Sequence, residues 1–368
     1  MTIQNPSSQK PLVSFILPCY NIPANMLCEC IDSILALPLQ SSERQIILVD
    51  DGSDESPLEQ LGARAEELTY IRQKNSGLSV ARNAGLRLCT GEYIQFVDTD
   101  DQLILSGYSQ ILELARTQQH DLIMFEFTTD APSNLIPAEA PTRGLSQKGE
   151  ATKAKEMQME KNKMDDSGSI SLTSDTPSTW RGKGEAGASY LRHHNLNAAA
   201  WGYLFKQSIL GDLTFTPGIY HEDEEFTPRL LLHAESVCDT HVVAYLYRKR
   251  SQSITTDTHI KKRLKRINDT RDIILRLNTM ADRMPVNERT ALQRRVAQLT
   301  MDYIYKIIVE TRNKHYLTRK LHELKAVGLF PLPDRDYTTK YKWFRRLSST
   351  DLGLRMLLRI RPAINKER

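Results

Sequence analysis

Short, nearly continuous apolar runs recur through the first third of the chain: VSFILP (13–18), QIILVD (45–50), TYIR (69–72), EYIQFV (92–97) and DLIMFEF (121–127). Runs of this length suit strands buried on both faces, and the stretches between them are long enough for crossover helices. The pattern predicts an α/β unit with a mainly parallel sheet from Pro11 to about Thr128, after an N-terminal extension over 1–10. Residues 129–179 break it: they are polar, rich in Pro, Ser, Gly and Lys, and almost free of aromatics, which predicts a mobile insertion with too little apolar area to offset ordering. Regular pattern resumes near Trp180, with a helix predicted over HEDEEFTPRLLLHAE (221–235) and a strand over HVVAYLYR (241–248). After Ser253 apolar residues fall at helical spacing among many Arg and Lys, so 256–368 reads as a helical C-terminal region.

Composition narrows this only slightly. With 368 residues, 40% hydrophobic and 26% charged, the chain can bury a sizeable core and does not resemble a disordered protein. The net charge of +4 conceals an asymmetry: residues 340–368 hold nine Lys or Arg against Asp351 and Glu367. Five scattered cysteines without C-x-x-C pairs indicate neither a disulfide framework nor a structural zinc site, and suggest a reducing compartment. The first ten residues lack the features of a signal peptide and no apolar stretch is long enough for a bilayer, so a cytoplasmic location is expected, with the inner face of the membrane as a resting place.

Candidate chemistry collects at the ends of the predicted strands, where ligands bind in open α/β sheets. In VDTDD an extended backbone would turn Asp98 and Asp100 to one side and Thr99 to the other, and such hard oxygen donors suit Mg²⁺ or Mn²⁺. An acidic turn followed by a helix capped by Asp101 or Ser106 explains the same letters. In ILVDDGS, Asp50 and Asp51 close a strand where a carboxylate can accept from a base or a sugar hydroxyl, while D-G is also a strong turn signal. NSGLSVARNAGL sets Asn75, Ser76 and Gly77 at a helix mouth and Arg82 one turn in, either facing a diphosphate or forming a capped helix with Arg82 in solvent. In YHEDEEFTPRLL four consecutive acids exceed what a helix N-terminus requires, and one of them can serve as a general base.

Taken in order, VSFILPCYN, ILVDDGS, NSGLSVARNAGL, GEYIQFVDTDD and YHEDEEFTPRLL resemble the family 2 glycosyltransferases over roughly Pro11 to Ser253. That resemblance implies the nucleotide-diphospho-sugar transferase (GT-A) fold, with donor-binding and acceptor-binding parts at 11–128 and 180–255. It implies that Pro18, Tyr20 and Asn21 line the nucleotide pocket, that Asp51 contacts the base, and that Asn75 and Arg82 lie beside the nucleotide and diphosphate. Asp98 and Thr99 would approach ribose and phosphates, Asp100 would be the principal ligand to Mn²⁺ or Mg²⁺ with Asp98 beside it, and Asp223 of the pair Glu222–Asp223 would be the base of an inverting transfer. Trp201 resembles an acceptor-side Trp that stacks on sugar, or is a core residue; Arg248 or Arg250 would meet phosphate, or be solvated. The implied donor is a nucleotide-diphospho-sugar, foremost a UDP-sugar, and the acceptor a glycan or lipid-linked glycan.

A sugar nucleotidyltransferase would need a glycine-rich basic loop after the first strand, and PCYNIPANM is not one. A non-catalytic binding module at the membrane would be expected to lack Asp98, Asp100 or Asp223, which are present. WFRRLSSTDLGLRMLLRIRP (343–362) suits either an interfacial helix on an anionic membrane surface or a helix packed on the protein. The basic residues of the C-terminal helices are interspersed with apolar and acidic ones, so packing is expected there and not nucleic-acid binding.

Overall fold

The computed structural model describes residues 10–130, 184–249, 259–335 and 337–359. The predicted extension and most of the 129–179 insertion, as well as Arg250 and 360–368, lie outside the described residues. Strands form at all five apolar runs: β1 (Val13–Cys19), β2 (Arg44–Asp50), β3 (Leu68–Arg72), β4 (Tyr93–Phe96) and β6 (Leu122–Thr128). Every residue of β1 and β4 is buried, as expected of strands covered on both faces. A two-residue β5 (Gln102–Leu103), β7 (Tyr203–Lys206) and β8 (Val237–Leu246) complete an eight-stranded sheet among the described residues, in the order β3-β2-β1-β4-β7-β6-β8-β5.

The sheet is parallel from β3 to β4, as expected, and mixed beyond it. β7 pairs antiparallel with both β4 and β6, β6 and β8 run parallel, and β5 pairs antiparallel with β8. Four residues inside AAAWGYLFK are too few to show a period, which is why β7 has no signal in the pattern. β8 starts four residues before the predicted 241, because its first half alternates buried and exposed side chains instead of forming a continuous apolar run.

Helix α1 (Ala24–Leu35) follows β1, and α2 (Leu78–Leu88) packs on β1 and β2. The close approach of α2 depends on Gly85, where a Cβ would stand 2.3 Å from Cγ2 of Ile16 in β1. Gly52, at φ +79°, turns the chain after β2 so tightly that a Cβ there would meet the Asn75 amide nitrogen at 2.7 Å. The loops after β2 and before α2 are thereby pressed together at the carboxyl edge of the sheet. Helices α3 (Leu105–Thr117), α4 (Gly187–His193) and α5 (Asp223–Leu232) belong to the same unit. The C-terminal region is helical as predicted: α6 (Ile260–Ala281), α7 (Val286–Thr311), α8 (Lys314–Ala326), α9 (Thr339–Ser348) and α10 (Asp351–Arg359). It has its own apolar core, built on Ile273, Leu277, Tyr303 and Ile304, beside the sheet core of Ile16, Ile47, Phe96 and Phe226.

Candidate active site

β4 stops at Phe96, so VDTDD is a turn and not the extended strand whose alternation was expected to align Asp98 with Asp100. The amide of Asp101 donates to the carbonyl of Asp98 at 2.9 Å and closes that turn. Thr99 faces inward: its hydroxyl donates to the carbonyl of Pro18 at 3.0 Å and its side chain is buried, so it ties the turn to β1 instead of reaching a ribose or phosphate. Asp101 does not cap α3, which starts at Leu105 with Ile104 before it and no side-chain cap. Its carboxylate accepts from the Tyr245 hydroxyl at 3.0 Å and the Arg248 amide at 2.8 Å, because it is buried and needs those donors. Burial first, and then Asp98, push its carboxyl up to about 8.

Arg248 is not a solvated charge. It is fastened to the Asp100 carbonyl, the Glu29 carboxylate and, at 3.2 Å, the Met26 carbonyl, and so braces the turn from behind. Trp201 is half-buried and stacked 4.5 Å from the Tyr245 ring, with Phe127 edge-on at 5.1 Å. The two readings of this tryptophan meet in one aromatic group: one side supports the acidic turn through Tyr245, and its neighbour Phe127 is exposed.

Asp51 is likewise engaged. Its carboxylate accepts from the amides of Ser76 and Gly77 at 2.9 and 2.8 Å and from Gln73 Nε2 at 2.7 Å, so the helix-mouth N–H groups expected to face a diphosphate are held by this side chain. A base contact by Asp51 would have to exchange with these bonds. At the end of β1, Pro18 is buried while Tyr20 is 47% exposed. Asn21, at φ +47°, exchanges two hydrogen bonds with Asp54, at 3.0 and 2.9 Å, beside a cavity of about 470 Å³ that Ser53, Asp54 and Pro57 also line. Asn75 is exposed at the mouth of α2.

Arg82 departs furthest from expectation. It is 3% exposed, so it is not in solvent, and its guanidinium is not open to a diphosphate. Nη1 donates to Glu222 Oε1 at 2.6 Å and Nη2 to Asp98 Oδ1 at 3.1 Å, so one side chain joins the acidic turn to the N-terminus of α5. Burial opposes its charge, but Asp98, Glu222 and Asp223 together hold it above the ordinary guanidinium range.

The four acids at α5 separate by partner. Glu222 meets Arg82, Glu224 meets Arg295 of α7, and Glu225 receives a two-pronged fork from Arg276 of α6 at 2.8 and 2.7 Å. Asp223 alone among them has no ion pair with the described residues; Oδ1 accepts from the Glu224 amide at 2.9 Å. Burial, followed by Glu222 and Glu224, raises its carboxyl above the usual range against the pull of Arg82. His221, at φ +62°, is driven down to about 4 by burial and then by Lys306, so it is neutral at pH 7 and stands beside the acids without pairing them. The amide of Tyr220 donates to Asp269 of α6 at 2.9 Å, anchoring the loop before α5.

Sequence reasoning had no access to Arg276, Arg295 or Asp269, which hold α5 from the C-terminal helices. A basic residue at a buried helical position was the available signal for Arg295 alone.

Among the described residues no group of three or more His, Cys, Asp or Glu could hold a metal ion. Asp98 and Asp100 on one turn would supply part of a hard oxygen shell, which diphosphate oxygens and water would complete. The donor set therefore fits Mg²⁺ or Mn²⁺ arriving with a nucleotide diphosphate, and not a fully protein-made cage.

Residues 14–169 match the family described as Glycosyl transferase family 2. Over those residues the chain resembles this family. An uncharacterized glycosyltransferase, EpsJ of Bacillus subtilis, is 27% identical over 267 residues, covering 68% of this chain and 67% of its own. Poly(ribitol-phosphate) beta-N-acetylglucosaminyltransferase TarP of Staphylococcus aureus is 29% identical over 147 residues, 39% of this chain and 43% of TarP, so the shared part is less than half of that relative. Among solved structures, S. aureus TarS 1–349 in complex with UDP-GlcNAc superposes with a TM-score of 0.59 at 16% identity, covering 94% of this chain and 90% of that one. The mannosyltransferase PcManGT of Pyrobaculum calidifontis, in complex with GDP-Man and Mn²⁺, gives 0.51 at 14% identity, covering 99% and 90%. The protein is thus a glycosyltransferase enzyme of the GT-A fold.

Proposed function

We propose that the chain transfers a sugar from a nucleotide-diphospho-sugar, foremost a UDP-sugar, to a hydroxyl of a glycan or lipid-linked acceptor in cell-surface polysaccharide synthesis, with inversion at the anomeric carbon. The observation that carries this reading is Asp223: a carboxyl group at a helix N-terminus, without an ion-pair partner among the described residues, raised above its usual range, and set beside three acids that each have an arginine. In the proposed step the acceptor oxygen forms its bond to C1 as C1 parts from the diphosphate oxygen. The electron pair leaves with the nucleoside diphosphate, and the hydroxyl proton goes to Asp223. No covalent enzyme intermediate is required. A divalent cation at Asp98 and Asp100, when bound, would offset the charge growing on the diphosphate.

The donor class is supported by the UDP-GlcNAc held by TarS, and the acceptor class by the poly(ribitol-phosphate) in the name of TarP. Tyr20 and Asn21, beside the polar cavity at the ends of β1 and β2, are proposed to receive the nucleotide, with Asp51 and Asn75 on its other side and Trp201 and Glu222 towards the acceptor.

Among the described residues no helix is long and apolar enough to cross a membrane. α9 and α10 nonetheless pack only one face on the helical core, through Tyr341, Phe344 and Leu357, and expose Trp343 (60%), Leu352 (66%) and Met356 (52%) among arginines and lysines. We infer that this face rests on an anionic membrane, which would bring a lipid-linked acceptor to the site.

The function is tested by presenting UDP-, GDP- and dTDP-sugars with and without Mn²⁺ and following donor hydrolysis. Wild type should hydrolyse at least one donor in a metal-dependent manner, and Asp100→Ala should weaken metal-dependent UDP binding by roughly tenfold or more. Normal turnover by Asp100→Ala would contradict the donor-site assignment.

A further inference from the structure

We propose that Arg82 is a positioning residue that fixes the base-bearing end of α5 against the donor-side turn, so that Asp98 and Glu222 are set by a single guanidinium. The inference rests on the transferase reading above and adds to it a link between the two halves of the site.

Three observations support it. The two prongs of Arg82 reach residues 16 and 140 positions further along the chain, at 3.1 Å to Asp98 and 2.6 Å to Glu222. Its position is fixed from all sides: the Phe96 and Phe215 rings lie 5.8 and 5.4 Å from the guanidinium carbon, and the next residue, Asn83, exchanges two 2.8 Å bonds with the Phe215 backbone. Gly85 seats the same helix on β1.

The consequence is geometric. Glu222 immediately precedes Asp223, and its carboxylate ties the first turn of α5 to the acidic turn through Arg82, while Thr227 and Phe226 hold the rest of the helix to β7 and β4. Arg82 thereby joins the position of Asp98 to that of Glu222, and so to the start of α5, through one planar group. A lysine, with one compact ammonium, cannot address both carboxylates in this way.

The test compares Glu222→Ala, Glu222→Gln and Arg82→Lys in the full chain by three readings: UDP binding with Mn²⁺ by calorimetry, kcat and KM for the sugar nucleotide that wild type hydrolyses fastest, and thermal stability. Glu222→Ala should lower kcat by roughly tenfold or more while KM and UDP affinity stay within about threefold, and Glu222→Gln, which still accepts from Arg82, should restore most of the lost kcat. Arg82→Lys should lose both kcat and UDP affinity. Wild-type kcat in Glu222→Ala, or a kcat loss matched by weaker UDP binding and not rescued by Glu222→Gln, would overturn the link. A wild type that binds no UDP and hydrolyses no donor would overturn the transferase reading itself, and the link with it.

Discussion

Asp223 is set apart at the residue scale by the company it keeps. Arg82, Arg295 and Arg276 hold Glu222, Glu224 and Glu225 in place as fixed negative charges, and burial together with the first two of these acids disfavours ionisation of Asp223. A base must be deprotonated to act, so a raised carboxyl places the acid limb of the rate profile above the ordinary aspartate value of about 3.9. Activity should be complete above that limb and lost as pH falls through it. Glu224→Gln removes one of the charges that raise Asp223, so the limb should move to lower pH; kcat measured across pH 4 to 9 checks this, and an unmoved limb would assign the base elsewhere. The four acids were legible in the sequence, and the proposal of Asp223 as the base came with the family resemblance. What separates it from its neighbours was not legible, because the partner arginines lie 51 to 140 residues away. For the same reason the engagement of Asp51 with the α2 mouth, of Thr99 with Pro18 and of Arg248 with the acidic turn could not be read: each side chain is fixed by a contact far along the chain.

At the scale of elements, α2 connects the sheet to the site. It carries Arg82 and Asn83 to the acceptor side while Gly85 lies on Ile16, a fully buried β-branched residue with little freedom to yield. Gly85→Ala should therefore destabilise the fold by about 1–3 kcal/mol through overpacking, visible in the midpoint of a urea titration. A neutral result would show that α2 can lift from β1 without cost. The strands of the donor half were legible because burial on both faces writes a continuous apolar run, and α5, α6 and α7 because their periods are long. β7 was not, since four residues define no period. VDTDD was misread as strand because the apolar run continues to Val97, one residue past the last ladder position.

At the scale of the molecule, the C-terminal helices do more than complete the protein. Arg276 and Asp269 of α6 and Arg295 of α7 fasten α5 and the loop before it, so the position of α5 depends on a region outside the residues that match the family. Two of their arginines, Arg276 and Arg295, serve these contacts. The exposed Trp343, Leu352 and Met356 on α9 and α10 give the tail a separate part. Replacing all three by Ser should reduce flotation with anionic vesicles several-fold at low salt while leaving donor hydrolysis in solution unchanged, given that each basic group near such a surface adds only about 1 kcal/mol and needs the apolar face beside it. Equal flotation would place the membrane contact elsewhere or remove it.

The central claim is that this sheet edge binds a nucleotide-sugar and that Asp223 activates the incoming hydroxyl. It is tested most directly by measuring UDP affinity with Mn²⁺ and donor turnover side by side in wild type and Asp223→Asn. The substitution should leave UDP affinity within about threefold and lower turnover by roughly 10²–10⁴-fold, the usual contribution of a positioned base. Turnover at the wild-type rate in Asp223→Asn would contradict the account.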